Sequence, residues 1–222
     1  YWDETLLSIG TSSTNSLDNS TFNDKSTNSL TATTTGTPTQ TAFHPYLDNY
    51  SVEFDGLQER LYTGSSTDFG IGTNDFSFEC WFYVDSATYG WTTYPTGFGL
   101  GANYAGADTA RLLLKDAANA DKITFTLVST RVLIPSSQTF DFGQWNHIVV
   151  CRSGSTLSMF YNGTRIATAS NSDNINSGNA TNAYIGHTGS NTEGFIGKAS
   201  NARFINGSSA YDATSTSIDV PT

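Results

Sequence analysis

One segment, residues 140–169, constrains the fold more than any other part of the chain. Its sequence, FDFGQWNHIVVCRSGSTLSMFYNGTRIATA, contains two runs rich in β-branched and apolar residues, Trp145–Arg152 and Thr156–Tyr161. A glycine-centred reversal, Ser153-Gly154-Ser155, separates them, and Asn162-Gly163 follows the second run. Because both central residues of a type I′ turn need a positive φ, Asn-Gly is the strongest short hairpin signal. The segment therefore predicts three consecutive antiparallel strands, which need a larger sheet to be stable.

The composition predicts an all-β protein. Hydrophobic residues make up 37% of the 222 residues and aromatic residues 13%, which is enough for one sizeable core. The polar remainder is mostly Ser, Thr, Asn and Gly rather than charged residues, a mixture that favours turns and exposed β surface over helices. No window of the sequence shows sustained helical periodicity with capping residues, so we expect an antiparallel β-sandwich.

The net charge argues against two classes of partner. Ten basic and twenty acidic residues give a formal charge of −10, and no basic cluster interrupts this excess. Such a surface repels the phosphates of nucleic acids and, for the same reason, anionic membranes. The sequence also lacks the run of about 18 apolar residues that a membrane-spanning helix needs. Divalent cations and neutral sugars remain compatible partners.

The stretch Phe76–Val84 is the clearest single strand, because its side chains alternate between two expected faces. The face that is expected to point into the core has Phe76, Phe78, Cys80, Phe82 and Val84. The opposite face has Ser77, Glu79, Trp81 and Tyr83. Cys80 and Cys151 are expected to be buried thiols, with a disulfide between neighbouring strands as the alternative.

Further strands are indicated along the chain. Tyr50–Phe54 is expected to end at the turn Asp55-Gly56, from which Arg60–Thr63 returns. Arg111–Lys115 and Lys122–Leu127 are expected to form a hairpin. Other strands are predicted near residues 5–9, 29–34, 98–101, 183–186 and 195–205. About a dozen short strands with near-regular turn signals predict a sandwich or a jelly roll.

The first 49 residues differ in composition from the rest. About two-thirds of residues 11–41 are Ser, Thr or Asn, but Leu17, Phe22 and Leu30 interrupt this polar run. We therefore expect residues 1–49 to form an N-terminal segment that contributes edge strands to a sandwich domain of residues 50–222.

Four stretches together resemble concanavalin A-like, laminin G-type jelly-roll domains. They are YSVEFDG (50–56), FGIGTNDFSFECWFY (69–83), FGQWNHIVVCRSGSTLSMFYNGTRIATA (142–169) and AYIGHTGSNTEGFIGKASNARFINGSSAY (183–211). Their order and spacing are similar to those of the family over residues 50–222. The resemblance implies a jelly roll in which the three strands of residues 140–169 are scaffold.

A narrower resemblance concerns the two ends of the chain. The stretches NSTFNDKSTNSLTATTTGTPTQTAFHPY (19–46) and SNARFINGSSAYDATSTSIDVPT (200–222) are similar to laminin G-like domains in virion proteins of tailed bacteriophages, especially marine ones. This resemblance implies a structural role in the virion, as a capsid decoration or a tail or fibre component. Other virion proteins or copies of the same chain, in an oligomeric assembly, are then the expected partners.

Catalysis is not expected. Glucanases of this architecture use carboxylates in a Glu-x-Asp-x-Glu run, so that nucleophile and acid face one sugar bond, and this run is missing here. Glu53 and Glu79 each have neutral neighbours on their strand face. Glu79 is interpreted as a partly exposed glutamate, with an acid of raised pKa as the alternative. His147 is interpreted as structural, and the histidines lack the spacing of a zinc site.

No cofactor is expected apart from a structural Ca²⁺. Laminin G-type folds often bind Ca²⁺ through aspartates and backbone carbonyls, and the resemblance places Asp55 at a position that supports such a site. The family's second aspartate corresponds to Ser200 and Asn201 here, a departure from the pattern. The alternative is that Asp55 ends its strand in an Asx-type turn.

Aromatic side chains next to polar residues indicate where a sugar would bind. The candidates are two outward residues of the clearest strand and four residues of the Gly-, Thr- and Tyr-rich stretch 86–109, namely Trp81, Tyr83, Tyr89, Trp91, Tyr94 and Tyr104. As alternatives, Trp81 and Tyr83 pack under a loop or the N-terminal segment, and the 86–109 loop is a subunit contact.

The composition, the motifs and the two resemblances lead to two candidate functions. The first is a non-enzymatic phage virion protein whose lectin-like jelly roll makes protein contacts or attaches the particle to the host surface, with a host glycan as ligand. The alternative is a carbohydrate-binding module of a secreted or cell-surface adhesin.

Overall fold

Sixteen strands are found in the residues that the structure, a computed structural model, describes: 5–10, 22–45, 50–55, 58–86, 92–101, 110–127, 130–175, 182–186 and 193–221. The first eight are β1 (Thr5–Gly10), β2 (Asn23–Asp24), β3 (Ala32–Thr35), β4 (Thr39–Thr41), β5 (Ser51–Phe54), β6 (Arg60–Thr63), β7 (Phe76–Tyr83) and β8 (Thr96–Leu100). The last eight are β9 (Ala110–Asp116), β10 (Lys122–Leu127), β11 (Thr130–Leu133), β12 (Trp145–Ser153), β13 (Thr156–Tyr161), β14 (Thr164–Ser170), β15 (Ala183–Gly186) and β16 (Gly197–Asn206). Two short 3-10 turns, Thr67–Phe69 and Ala117–Asn119, complete the regular structure of these residues.

The strands form two antiparallel sheets. The first sheet has the order β14-β13-β12-β7-β16-β1-β2, and β5 pairs with β16 and with β4 beside this path. The second sheet has the order β11-β10-β9-β8-β15-β6-β3. The all-β sandwich expected from the sequence is confirmed. Strands from the first 49 residues enter both sheets, whereas the domain boundary at residue 50 stays a prediction.

The three strands predicted from residues 140–169 are present as β12, β13 and β14, each paired with the next. Asn162 and Gly163 have φ angles of 47° and 84°, so both turn residues adopt the left-handed region that their sequence predicts. On its other side β12 pairs with β7 along the whole length of that strand. The segment that most constrained the fold therefore lies beside the central strand of the first sheet.

The core lies between the two sheets, and the inward face of β7 is part of it. Phe76, Phe78, Cys80, Phe82 and Val84 are each at most 1% exposed, as the alternation predicts. Phe78 stacks on Phe98 of the second sheet with a centroid separation of 3.6 Å. Each such buried side chain contributes roughly 1.5–3 kcal/mol of hydrophobic stabilisation. Cys80 and Cys151 are buried free thiols, and burial raises the pKa of both groups.

The expected return of Arg60–Thr63 beside Tyr50–Phe54 is wrong. β5 belongs to the first sheet and β6 to the second, so the chain crosses between the sheets here. The Glu59 carboxylate accepts hydrogen bonds from the backbone N–H groups of Asp55 and Thr37, both at 2.8 Å. These bonds tie the crossing to the N-terminal segment. The short strands β2, β4 and β11 were not predicted from the sequence either.

Arg152 holds two loops together from inside the protein. Its side chain is fully buried, and its guanidinium donates to the carbonyl oxygens of Gly72 (2.8 Å), Asn74 (2.7 and 3.0 Å) and Asp173 (3.0 Å). Burial lowers the pKa of Arg152, although the charges of Asp75 and Asp173 oppose this effect. The loop after the first 3-10 turn and the loop after β14 are therefore fixed to one charged group.

The C-terminal segment, residues 207–221, packs on the outer face of the first sheet, which is the face turned away from the second sheet. Ala213 completes a small apolar cluster with Val149, Cys151 and Phe160. The Ser158 hydroxyl donates to the Ala213 carbonyl at 2.6 Å. One end of this outer face is therefore covered by the chain itself.

Glu79 binds the C-terminal segment to the sheet, and its predicted partial exposure is wrong because only 7% of the residue is exposed. Its carboxylate forms an ion pair with Arg203 and accepts hydrogen bonds from the Tyr211 hydroxyl and, at 3.2 Å, from His147 Nε2. Burial raises the pKa of Glu79, but the hydrogen bond from His147, the charge of Arg203 and the bond from Tyr211 outweigh it and leave the pKa below the usual value. The alternative of a raised pKa is wrong as well.

We predict that Arg152→Met lowers the free energy of unfolding by about 3 kcal/mol, because it leaves several buried carbonyl groups without donors. Urea unfolding followed by fluorescence measures the loss. Arg165→Met is the matched control, since the Arg165 side chain donates to an exposed carbonyl, that of Thr214, and should change stability by less than about 1 kcal/mol. Equal losses in the two variants would contradict the structural role of Arg152.

We predict that Glu79→Gln lowers the free energy of unfolding at neutral pH by about 2 kcal/mol. Because folding lowers the pKa of Glu79, its contribution is fully present above the unfolded pKa, near pH 4.5, and is lost as the pH falls through the lower folded value. The free energy of unfolding, measured between neutral pH and pH 3, should therefore decrease less steeply with falling pH in the variant than in the wild type.

The matched control for Glu79 is Glu53→Gln, the same substitution at a half-exposed glutamate of the same sheet. This variant should retain most of the stability at neutral pH. Its free energy of unfolding should also decrease with pH below 4.5 as steeply as that of the wild type. A Glu79→Gln protein with the wild-type slope would show that the buried carboxylate is not responsible for the acid sensitivity.

Candidate functional site

The six aromatic residues singled out from the sequence do not form one group. Trp81 and Tyr83 lie on the outer face of β7 and are half-buried. Tyr94, also half-buried, lies before β8 of the second sheet, where Arg131 is 5.8 Å from its ring centroid. Tyr89, Trp91 and Tyr104 lie outside the described residues, and their role in binding stays a prediction.

Tyr83 belongs to a larger aromatic group, which we call the aromatic platform: Phe43, Tyr83 and Trp145. Trp81 lies two residues before Tyr83 on the same outer face of β7. The Tyr83 ring meets Phe43 edge-on at 4.8 Å and Trp145 at 5.6 Å between centroids. Phe43 stacks on Trp145 at 5.6 Å and is 46% exposed. The N-terminal segment thus packs against Tyr83 and still leaves the platform partly open to solvent.

Strand pairing builds the platform. Trp145 lies opposite Tyr83 in the pairing of β12 with β7, and His147 lies opposite Trp81. Directly opposed residues of an antiparallel pair share one face and have adjacent side chains. His147 is buried, and its ring contacts Trp81 with a centroid separation of 5.0 Å. The buried network of Glu79 and His147 therefore packs against Trp81, on the same sheet face as the platform.

An ion pair borders the platform. Lys198 Nζ lies 2.7 Å from Glu53 Oε1. The same Nζ atom is 5.9 Å from the ring centroid of Tyr83 and 6.0 Å from that of Phe43. Burial and the nearby charge of Asp85 raise the pKa of Tyr83, so its phenol is uncharged at neutral pH. The site thus combines aromatic faces with one matched pair of charges.

Two platform residues, Phe43 and Trp145, were not among the candidates predicted from the sequence. Trp145 was interpreted as scaffold, because only the pairing of β12 with β7 reveals that it lies beside Tyr83. Phe43 comes from a segment distant in sequence, next to the polar run. The indole N–H of Trp145 is buried, and no acceptor for it is found in the described part of the chain. A buried donor without an acceptor lowers the stability of a protein by about 1–3 kcal/mol.

The arrangement is suited to binding. Flat aromatic faces stack on the apolar faces of sugar rings, and neighbouring charged groups form hydrogen bonds with hydroxyls. The two strand glutamates considered from the sequence are already engaged, Glu53 with Lys198 and Glu79 with three donors. Each is the single acidic residue of its own strand, β5 or β7, so neither strand provides the pair of carboxylates that acid–base hydrolysis of a glycosidic bond uses.

Asp55 lies exposed directly after β5. In the described ranges, no group of three His, Cys, Asp or Glu side chains is placed to hold a metal ion. The Ca²⁺ site suggested by the family resemblance therefore stays a prediction.

An open depression of about 380 Å³ lies in the C-terminal segment, and its lining includes Tyr211, Asp212, Ser215 and Asp219. Its polar groups mainly stabilise their own loop: Asp212 accepts from the Thr214 N–H and hydroxyl, and the Ser215 hydroxyl donates to the Ser217 carbonyl. The depression also lacks stacked aromatic rings among its lining residues. The platform is therefore the stronger candidate site.

Solved structures of low sequence identity have the same fold. Domain 4 of AbnA, a GH43 extracellular arabinanase from Geobacillus stearothermophilus solved in complex with arabinotriose, is 16% identical, with a TM-score of 0.66 over 92% of this chain and 94% of that domain. The binding domain of botulinum neurotoxin DC in complex with SialylT is 13% identical, with a TM-score of 0.61. The same neurotoxin domain in complex with rat synaptotagmin II is 11% identical, with a TM-score of 0.62.

The match to the neurotoxin domain covers 96% of this chain and about half of the larger domain. A comparison with curated proteins finds no match to the sequence. A family model described as the concanavalin A-like lectin/glucanases superfamily matches residues 55–210. That range is more than half of the chain and includes the whole of β7. The protein therefore belongs to the concanavalin A-like lectin/glucanases superfamily.

Proposed function

We propose that this chain is a non-enzymatic, lectin-like module that binds carbohydrate through the aromatic platform on the outer face of its first sheet. The observation on which the proposal depends is the platform itself, a partly exposed group of three aromatic side chains in mutual contact beside an ion pair. Solitary exposed aromatic residues are common on proteins, whereas a contiguous group indicates a surface for recognition.

Two further observations support carbohydrate as the ligand. Sugar rings present C–H groups to an aromatic face and hydroxyls to its border, which matches rings flanked by Lys198 and Glu53. Two proteins of the same fold were solved in complex with saccharide ligands, arabinotriose and SialylT. Because these proteins are only 13–16% identical to this chain, they support a class of ligand and not a particular sugar.

We further propose that the domain is part of a phage virion, as a capsid decoration or a tail or fibre component that contacts virion proteins and attaches to host glycans. The resemblance of residues 19–46 and 200–222 to virion proteins supports this role. The net charge of −10 is compatible with an exposed particle surface. No helix long and apolar enough to cross a membrane occurs among the residues described. A secreted or cell-surface adhesin is the alternative setting for the same binding module.

We predict that Tyr83→Ala and Trp145→Ala each weaken glycan binding by about tenfold or more, because each removes a stacking face of the platform. A glycan array identifies a ligand for the wild-type protein, and titration calorimetry then measures the variants. Tyr62→Ala is the matched control, since Tyr62 is another half-buried strand tyrosine but lies on the second sheet. Its affinity should equal that of the wild type.

The same titrations test the other candidates. A loss confined to Trp91→Ala, Tyr94→Ala or Tyr104→Ala would move the binding site to the 86–109 loop and contradict the platform. A loss of affinity in EDTA that Asp55→Ala reproduces would support the calcium site. Release of shortened glycans by the purified protein would contradict the non-enzymatic role.

The virion proposal predicts the neighbourhood of the gene. Because virion proteins are encoded together in phage genomes, we expect genes for capsid or tail proteins next to the gene for this chain. Sequencing of the flanking DNA provides the measurement. Flanking genes for secretion or cell-wall attachment, without virion genes, would instead favour the adhesin.

A further inference from the structure

Four side chains from adjacent strands form a row across the outer face of the first sheet. Glu53 of β5 pairs with Lys198 of β16, Lys198 pairs with Tyr83 of β7, and Tyr83 pairs with Trp145 of β12. Opposed residues of antiparallel strands share a face, and strands are spaced by about 4.8 Å, so the row is roughly 14 Å long. This length suits a short oligosaccharide better than a single sugar ring.

The two ends of the row differ in chemistry. Tyr83 and Trp145, with Phe43 packed on both, provide aromatic faces at one end. Glu53 and Lys198 provide a hydrogen-bond acceptor and a donor 2.7 Å apart at the other end. Both ionic side chains are partly exposed, Lys198 by 18% and Glu53 by 37%, so a ligand can reach them. Neighbouring sugar hydroxyls, each a donor and an acceptor, match such a pair.

Charge determines which glycans the row accepts. Lys198 is the cation of the row, and Glu53 already neutralises it at hydrogen-bond distance. The whole chain has a formal charge of −10. A sialylated, sulfated or uronic acid glycan would therefore have to break the Lys198–Glu53 pair or approach a negative surface without a free cation in the row.

We propose that the row Glu53–Lys198–Tyr83–Trp145 is a subsite for neutral oligosaccharides, in which one sugar stacks on the aromatic end and adjacent hydroxyls of the next bond to Lys198 and Glu53. This inference rests on the proposed carbohydrate-binding function and specifies its ligand class. In this row Glu53 is a specificity residue: it keeps Lys198 from attracting anionic sugars.

The test uses the full chain and pairs of glycans that differ only by a sialic acid or a sulfate group. We expect the wild type to bind the neutral member at least about tenfold more tightly. Lys198→Met should weaken neutral binding by about tenfold, because a charge-assisted hydrogen bond is lost. Glu53→Gln should raise the affinity for the anionic member, because Lys198 is then unneutralised.

Lys115→Met is the matched control, since Lys115 also pairs with a carboxylate, Asp121 at 3.7 Å, but on the second sheet. It should bind both glycans as the wild type does, and thermal melting confirms that all variants are folded. A wild type that prefers the anionic member, or Glu53→Gln and Lys198→Met proteins that bind like Lys115→Met, would overturn the specificity proposal alone. Absence of binding to every glycan would instead contradict the proposed function itself.

Discussion

The register between β7 and its two neighbours is the constraint on which the rest of the structure depends. β7 lies between β12 and β16, and its pleat sends Phe78 into the core and Glu79 and Tyr83 to the outer face. Because the side-chain period of a strand is two, a slip of one residue would place Glu79 in the core and a phenylalanine outside. The core therefore fixes the register, and the register determines that Trp145 and Lys198 meet Tyr83.

The outer face of the first sheet is used in two ways. At one end the C-terminal segment covers Val149 and Phe160, and the buried carboxylate of Glu79 receives its donors partly from that segment. At the other end Phe43 covers Tyr83 and Trp145 only in part, since both remain half-buried. An apolar sheet face is either covered by another part of the chain or forms a surface that binds a partner. The asymmetry between the two ends is the physical reason to place recognition at the platform.

Features that depend on local pattern could be predicted from the sequence, whereas features that depend on contacts between distant parts of the chain could not. The alternation in β7 and the Asn162-Gly163 turn are local signals, so the core face and the strands β12 to β14 were predicted correctly. Glu79 was expected to be partly exposed, because its donors, such as Tyr211, lie up to 132 residues away along the chain. The place of Trp145 in the platform was missed for the same reason: only its pairing with Tyr83 brings it there.

The low identity to proteins of the same fold determines where specificity has to be sought. At 11–16% identity, the arabinanase domain and the neurotoxin domain share the backbone arrangement with this chain, and shared backbone alone does not fix a ligand. A sheet face can change its outward side chains without disturbing the core, since inward and outward residues alternate. Strands also hold these side chains more rigidly than loops do, which reduces the entropy lost on binding. A row such as Glu53–Lys198–Tyr83–Trp145 is therefore a place where one member of a widespread fold acquires its own ligand preference.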